Sequence, residues 1–318
     1  MFEQIVEKIK KYDSIVIFGH LNPDGDCYGA QVGLREVVLS LYPNKNVYIT
    51  GTGCPRYFAL LPKMDEVSDE TIKESLAILV DANDLSRMED QRVRDAKDFC
   101  KIDHHIDTGS FKEGPQVVDT CANSACDILT RMVIETNAPI SELGATALYL
   151  GILTDSARFQ FVENYPETFE RAKFLCEKGA QVHKLNALMA ITDENTQKAK
   201  GYILSHYKKT EGGVIYIVYT KRLLRRLKLS ANKASSMINL LGNIEGYPIW
   251  ASFAEYEDGK VRVEYRSNGP AIQPCAVRIG GGGHAQASGA QLPELDKEVI
   301  EKALKDLDNT LAEWRKEQ

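Results

Sequence analysis

The feature that most constrains this chain is a pattern repeated in its first half, where a short apolar run stops at a polar residue capable of chemistry. Ser14-Ile15-Val16-Ile17-Phe18 leads into Gly19-His20, Leu76-Ala77-Ile78-Leu79-Val80 ends at Asp81, and Phe99-Cys100-Lys101-Ile102 ends at Asp103-His104-His105. Runs this short, rich in Ile and Val and flanked by helix-like segments, predict buried strands of a parallel α/β sheet. Ligands of such sheets gather beyond the carboxyl ends of the strands. Three polar clusters at three strand ends would therefore converge on one crevice.

Helices are expected at 26–41, 123–136, 141–153 and 166–178, the second opening at the good cap residues Asn123-Ser124. After about residue 190 the texture changes. A polar, helix-like stretch at 193–207 precedes Gly212-Gly213 and the strand-like Val214–Tyr219, with further strands expected at 249–256 and 260–266. The expected division is a first domain over 1–190, a connector over 191–210 and a smaller α/β domain over 211–318. The terminal helix at 294–316 alternates charge as a solvated face does.

Composition narrows the function. With 39 Lys+Arg against 45 Asp+Glu the net charge is −6, which excludes a globally basic nucleic-acid coat. The longest apolar runs fall far short of the roughly 18 residues a membrane span needs. Met1-Phe2-Glu3-Gln4 enters an amphipathic stretch with acidic residues rather than a secretory leader, so a cytoplasmic protein with no membrane partner is expected. Seven scattered cysteines without a C-x-x-C pair suggest neither a disulfide framework nor a zinc ribbon. Cys27 alone sits inside a polar motif, and it is assigned to packing.

His20, Asp24 and Asp26 lie in Gly19-His20-Leu21-Asn22-Pro23-Asp24-Gly25-Asp26, whose Pro-Asp-Gly is a strong turn signal able to fold three donors around one point. Read alone, Asp26 could equally cap the following helix while Asp24 makes the turn. The other strand ends shift that balance. Asp81, Asp103-His104-His105 and Asp155 in Gly151-Ile152-Leu153-Thr154-Asp155-Ser156 each follow an apolar segment, where a buried carboxylate needs a counter-charge. Five carboxylates and three imidazoles with few nearby cations call for metal. Such a donor set favours Mn²⁺ or Mg²⁺, admits Fe²⁺ or Co²⁺ and disfavours structural zinc. Its size suggests two ions, the usual device for activating water against phosphorus.

In order and character, His20 to Asp26, Asp81 to Arg87, Asp103-His104-His105 and Thr154-Asp155-Ser156 resemble the four signature motifs of the DHH phosphoesterase superfamily. The resemblance implies that His20 and Asp24 hold one Mn²⁺, that Asp26, His104 and Asp155 hold the other, and that Asp81 bridges them. Mg²⁺ or Co²⁺ would be substitutes. His105 would face the substrate phosphate and leaving oxygen, with Asp103 orienting the neighbouring histidines and sharing the catalytic assignment with His105 and Asp81. Ala157 stands where relatives often place glycine, which reduces local backbone freedom. Arg158 suits phosphate oxygens, and a structural ion pair fits it equally.

In the second half, Gly280-Gly281-Gly282-Gly283-His284 reads either as a flexible loop or as a backbone cradle for phosphate. It resembles the glycine-histidine signature of the DHH-associated domain, which in relatives closes over the first domain and grips nucleotides, the active site lying in the cleft between them. Gly281, Gly282, Gly283 and His284, with Arg266 and Ser267, would then bind substrate. The basic stretch Lys221–Lys228 carries leucines at 223, 224 and 227 on one helical face, so it is assigned to a solvated amphipathic helix. A row of aromatics between cations, as a long single-strand track requires, is not found.

The two-domain length resembles the oligoribonuclease and pAp-phosphatase group. The function this implies is Mn²⁺-dependent hydrolysis of RNAs of a few nucleotides and of 3′-phosphoadenosine 5′-phosphate (pAp), by a metal-bridging hydroxide in line with the leaving oxygen. Long duplex nucleic acid is not an expected partner, and a homodimer is left open. The competing reading is a soluble phosphodiesterase for cyclic di-AMP or its linear product pApA, which uses the same motifs.

Overall fold

A computed structural model describes residues 2–106, 111, 113–162 and 164–318. The chain divides into two compact units, Met1–Ile191 and Thr192–Gln318.

In the first unit the described residues form α1 (Glu3–Lys11), β1 (Ser14–Phe18), α2 (Gly25–Leu41), β2 (Asn46–Ile49), α3 (Asp69–Glu74), β3 (Leu76–Val80), β4 (Asp98–Asp103), β5 (Gln116–Val118), α4 (Ala125–Glu135), α5 (Glu142–Asp155), α6 (Tyr165–Glu177) and α7 (Val182–Ala190). The five strands make one parallel sheet in the order β2-β1-β3-β4-β5. Every residue of β3 is buried, as a strand covered on both faces must be. Parallel register aligns the carboxyl ends of β1, β3 and β4, since Ile17 pairs with Ile78 and Ile78 with Cys100. His20, Asp81 and Asp103 consequently emerge at one edge.

Beyond the expected elements, α2 packs closely on α5. Glycines recur at 25, 29 and 33 along α2, and a Cβ at Gly29 would overlap the Ala147 carbonyl of α5. At Gly151 a Cβ would overlap both Cys126 Sγ and Asp26 Oδ1. Small residues at these two positions let the helices approach closely enough to bring Asp26 on α2 toward Asp155 at the end of α5.

In the second unit the chain forms α8 (Glu194–His206), β6 (Lys208–Lys209), β7 (Ile215–Tyr219), α9 (Lys221–Leu227), α10 (Ala231–Ser235), β8 (Ile249–Glu255), β9 (Val261–Ser267), α11 (Gln273–Arg278), β10 (Gly282–His284), β11 (Ala287–Leu292) and α12 (Lys297–Lys316). Its sheet is mixed, ordered β10-β11-β9-β8-β7-β6, with only β7 and β8 parallel among the described pairs. One face buries Ala251, Phe253, Val263 and Tyr265 in a core shared with Ile272 of the turn before α11 and with Leu304 and Leu307 of α12. On the opposite face Ile217, Trp250 and Ala254 pack with Leu224 of α9 and Ala234 of α10. The basic stretch is helical as expected, with Leu224 buried. Among the described residues no helix is long and apolar enough to cross a membrane.

Candidate metal centre

The loop after β1 and the loop after β3 are tied together by backbone. Leu21 N–H donates to Arg87 O at 2.8 Å and Glu89 N–H to Gly19 O at 3.0 Å, so His20 is delivered beside Asp81. Asp81 itself has φ +57°, a left-handed conformation that Asp tolerates better than most residues and that turns the chain sharply off the strand. Its side chain is almost fully buried.

The cap of α2 is Asp24 rather than Asp26. Asp24 Oδ1 accepts from the N–H groups of Asp26 at 3.0 Å and Cys27 at 3.1 Å. Asp26 instead reaches across the unit to the first turn of α4, where its carboxylate accepts from Ala125 N–H at 2.7 Å and Cys126 N–H at 2.9 Å. A helix N-terminus is a favourable place for a carboxylate, and these bonds fix the orientation of a fully buried side chain.

The carboxylate of Asp81 faces two imidazoles at once. Its Oδ2 lies 3.3 Å from His20 Nε2 and its Oδ1 3.3 Å from His104 Nε2. His104 Nε2 is also 3.3 Å from Asp155 Oδ2 and 3.9 Å from Asp26 Oδ2. His105 Nδ1 sits 2.8 Å from Asp103 Oδ1 and 3.7 Å from Asp81 Oδ1, so Asp103 orients His105. Asp26, His104 and Asp155 form one tight donor group, and Asp81, His104 and His105 form another.

A third group comprises His20, Cys27 and Asp81. Cys27 Sγ accepts the His20 backbone N–H at 3.2 Å and is fully buried, so the residue assigned to packing also borders the donors. Asp24 is more peripheral, with Oδ1 3.9 Å from His20 Nε2 and that oxygen engaged in the α2 cap. Arg158 is exposed and within electrostatic reach of Tyr57. Burial chiefly raises the Tyr57 pKa, Arg56 and Arg158 oppose that, and Asp24 adds to it.

Burial and neighbouring charge shift the proton affinities of these groups. Burial, then the charges of Asp81 and Asp155, push Asp26 well above the carboxylate range. Burial, then Asp81 and Asp24, raise Asp155 to about 7. Burial would also raise Asp81, but the His104 and His20 imidazoles, each 3.3 Å from one of its oxygens, outweigh it and hold that carboxyl low. For His20 and His104 burial alone would lower the pKa, yet the Asp81 contacts prevail and raise each to about 9. Among the described residues no Lys or Arg pairs with Asp26, Asp81 or Asp155, and Asp81 Oδ1 is buried without a well-formed hydrogen bond. Clustered carboxylate and imidazole donors that lack a cationic side chain fit hard divalent cations.

In the second unit Arg266 and His284 share one face of the sheet, because each is paired with Ala287 across β11. Alternation places Ser267 on the other face, where its hydroxyl donates to Pro270 O at 2.5 Å. The glycine run is not a loop. Gly282 and Gly283 belong to β10, while Gly280 and Gly281 donate their N–H groups to Val277 and Ala276 carbonyls, so those two amides are not free to cradle a phosphate. Glycine is needed there for a different reason, since a Cβ at Gly281 would overlap the Gly289 carbonyl of β11.

A parallel α/β sheet with carboxylates and imidazoles gathered beyond its strand ends is suited to metal-dependent hydrolysis of phosphate esters. The chain belongs to the DHH family: residues 14–152 match the DHH family, N-terminal domain, and residues 211–313 match the DHHA1 domain. It is 35% identical over 291 residues to the bifunctional oligoribonuclease and PAP phosphatase NrnA of Mycoplasma genitalium, covering 90% of this chain and 91% of that protein. The protein of the same name from Bacillus subtilis is 32% identical over 316 residues, covering 98% and 99%. An exopolyphosphatase-related protein from Bacteroides fragilis shares the fold, with a TM-score of 0.83 at 22% identity over 98% of this chain and 97% of that one.

Proposed function

We propose that this protein hydrolyses short oligoribonucleotides and converts pAp to AMP and phosphate, using two Mn²⁺ ions. The observation that carries the reading is Asp81, whose two oxygens each stand 3.3 Å from a different histidine, as a carboxylate shared between two ions would. His20 and Asp24 would hold one ion, with Asp26, His104 and Asp155 holding the other. The relatives' names support the substrate class.

Bound divalent ions supply water activation and neutralisation of charge developing at phosphorus. The protein's own groups do the rest. Asp103 engages His105 Nδ1, which leaves Nε2 of this half-exposed ring to face a substrate phosphate and to protonate the leaving oxygen. Asp26 is held by the first turn of α4, so its oxygens keep their place when substrate arrives. Arg158 contacts phosphate from the loop after α5. In the second unit Arg266 and His284 grip a substrate phosphate, and Gly282 and Gly283 keep the neighbouring strand shallow enough for it to approach.

The test loads chelated protein with Mn²⁺ and follows phosphate release from pAp and mononucleotides from a short RNA. Activity on both substrates is expected, with about two ions bound per chain by elemental analysis. Asp81→Ala should abolish turnover and lower the bound metal while the far-UV spectrum is retained. Inactivity on both substrates, or cyclic di-AMP cleaved far faster than either, would overturn the proposal.

A further inference from the structure

Where β8 begins and β9 ends, the second unit carries a cavity of about 550 Å³, lined by Asn243, Glu245, Tyr247, Asn268, Trp314 and Arg315 among others. Separate stretches of chain meet there. β8 and β9 run antiparallel with Ile249 opposite Ser267, so the loop entering β8 lies beside the turn leaving β9, and Asn268 N–H donates to Pro248 O at 2.8 Å. The last turn of α12 is fastened to the same place, because Arg315 Nη1 donates to Gly212 O at 2.9 Å and Nη2 to Gly246 O at 3.0 Å. Trp314 packs with the core on the α12 side of the sheet, whereas Arg266 and His284 line up with Trp250 on the other side. The cavity is therefore built on different side chains from the row assigned to substrate.

Its lining has directed chemistry. Asn268 Nδ2 donates to Asn243 Oδ1 at 2.8 Å, which leaves Asn243 Nδ2 as a donor and Asn268 Oδ1 as an acceptor side by side. Both residues are exposed. That pair matches an edge of adenine, where the N6 amino group donates and a neighbouring ring nitrogen accepts. Trp314 and Tyr247 supply planar rings on which a base can stack. Gly269, at φ +121°, seats the indole, since a Cβ there would lie 2.7 Å from Trp314 Cζ2. Lys209 fixes the phenol, its Nζ donating to Tyr247 Oη at 2.9 Å and standing 4.2 Å from the ring centre. The two backbone carbonyls engage only part of the Arg315 guanidinium, and its other N–H groups suit a phosphate. Glu245, exposed at the cavity, offers a carboxylate acceptor to ribose hydroxyls.

We propose that this cavity binds an adenine mononucleotide. The base meets the paired amides and stacks on Trp314, the ribose lies against Glu245, and the phosphate meets Arg315. The volume falls within the range of about 300–1,000 Å³ typical of small-molecule sites. The cavity's own groups select this ligand, so the site stands whether or not the reaction proposed above is the right one. AMP, which that reaction would release from pAp, is the probe.

The experiment titrates AMP and adenosine into chelated protein, read by tryptophan fluorescence and calorimetry. A saturable change in fluorescence is expected, lost in Trp314→Phe and kept in Arg266→Ala. AMP should bind about tenfold or more tightly than adenosine, as a charged hydrogen bond to phosphate provides, and Arg315→Ala should remove that advantage. Asn243→Gly, which tolerates the native φ of +59°, should weaken AMP about three- to tenfold. UMP, with a smaller ring to stack, should bind more weakly than AMP. A response that survives Trp314→Phe or disappears in Arg266→Ala would place the nucleotide elsewhere and overturn the site. So would an AMP advantage retained in a folded Arg315→Ala, an affinity unchanged in Asn243→Gly, UMP binding as tightly as AMP, or no saturable binding.

Discussion

Asp155→Asn should stabilise the metal-free protein at alkaline pH. In the native structure the Asp155 carboxyl is raised from its ordinary value of 3.8 to about 7, chiefly by burial and then by Asp81 and Asp24. The folded form therefore binds a proton that the unfolded form releases between these values. This group's contribution is fully favourable below pH 3.8 and is lost as pH rises through about 7. About three pH units at about 1.4 kcal/mol each set a ceiling of about 4 kcal/mol on the penalty at pH 8. The favourable charge of His104, 3.3 Å away, is already contained in that value, but the new amide brings a buried N–H donor without a partner, which costs about 1–3 kcal/mol. The expected net gain at pH 8 is about 2 kcal/mol.

The assay is denaturant unfolding in chelator at pH 5 and pH 8. Both tryptophans, Trp250 and Trp314, lie in the second unit, so tryptophan fluorescence reports that unit while circular dichroism reports both. The first unit should gain stability in the variant at pH 8 and gain less at pH 5. Metal erodes the variant's advantage. Mn²⁺ at 100 times its dissociation constant adds about 2.7 kcal/mol to the wild type, and a tenfold weaker site in the variant would gain only about 1.4 kcal/mol, which removes more than half of the difference. A variant less stable than the wild type at pH 8, with an unchanged response to Mn²⁺, would refute the proposal that Asp155 is a metal ligand whose burial destabilises its charged form.

Two further substitutions test the local geometry. Ala157 has φ +47° and begins a left-handed run continued by Arg158 at +62° and Phe159 at +64°, so Ala157→Gly should stabilise by roughly 0.5–1 kcal/mol, read as a raised denaturant midpoint. Gly151→Ala should lower Mn²⁺ occupancy and destabilise by about 1–3 kcal/mol, because the added methyl overlaps Asp26 Oδ1 and Cys126 Sγ; normal metal content by elemental analysis would contradict this.

How legible the sequence is depends on how local each signal is. The strands β1, β3 and β4 announce themselves because a fully buried parallel strand needs a continuous apolar run, and their polar endings mark the site edge. The expected helices at 26–41, 141–153 and 166–178 differ from α2, α5 and α6 by a residue or two. The short β2, β5 and β10 lie outside the expected set, since three or four residues hold too little periodicity to read. The glycine run departs from its reading for a related reason: its conformation is set by Gly281 meeting the Gly289 carbonyl, a contact no local pattern encodes. Asp26 is likewise set by a distant partner, because the α4 N-terminus that receives it lies about a hundred residues downstream. A G-x-x-x-G-x-x-x-G spacing at 25, 29 and 33 is the available signal for close helix packing at the site.

The proposed ligands of the centre are also part of what folds the first unit. Asp24 caps α2, Asp26 bonds the first turn of α4, and Asp81 ends β3 in a left-handed turn. Each carboxylate is thus positioned by backbone rather than by flexible side-chain neighbours, and positioning costs little when an ion or substrate arrives. The same arrangement concentrates negative charge in a buried place, which raises Asp26 and Asp155 and leaves protons on His20 and His104. Metal affinity and instability of the metal-free protein would therefore share one origin. Uptake of a divalent ion must release protons, so affinity should rise with pH across the interval in which Asp155 and the two histidines titrate.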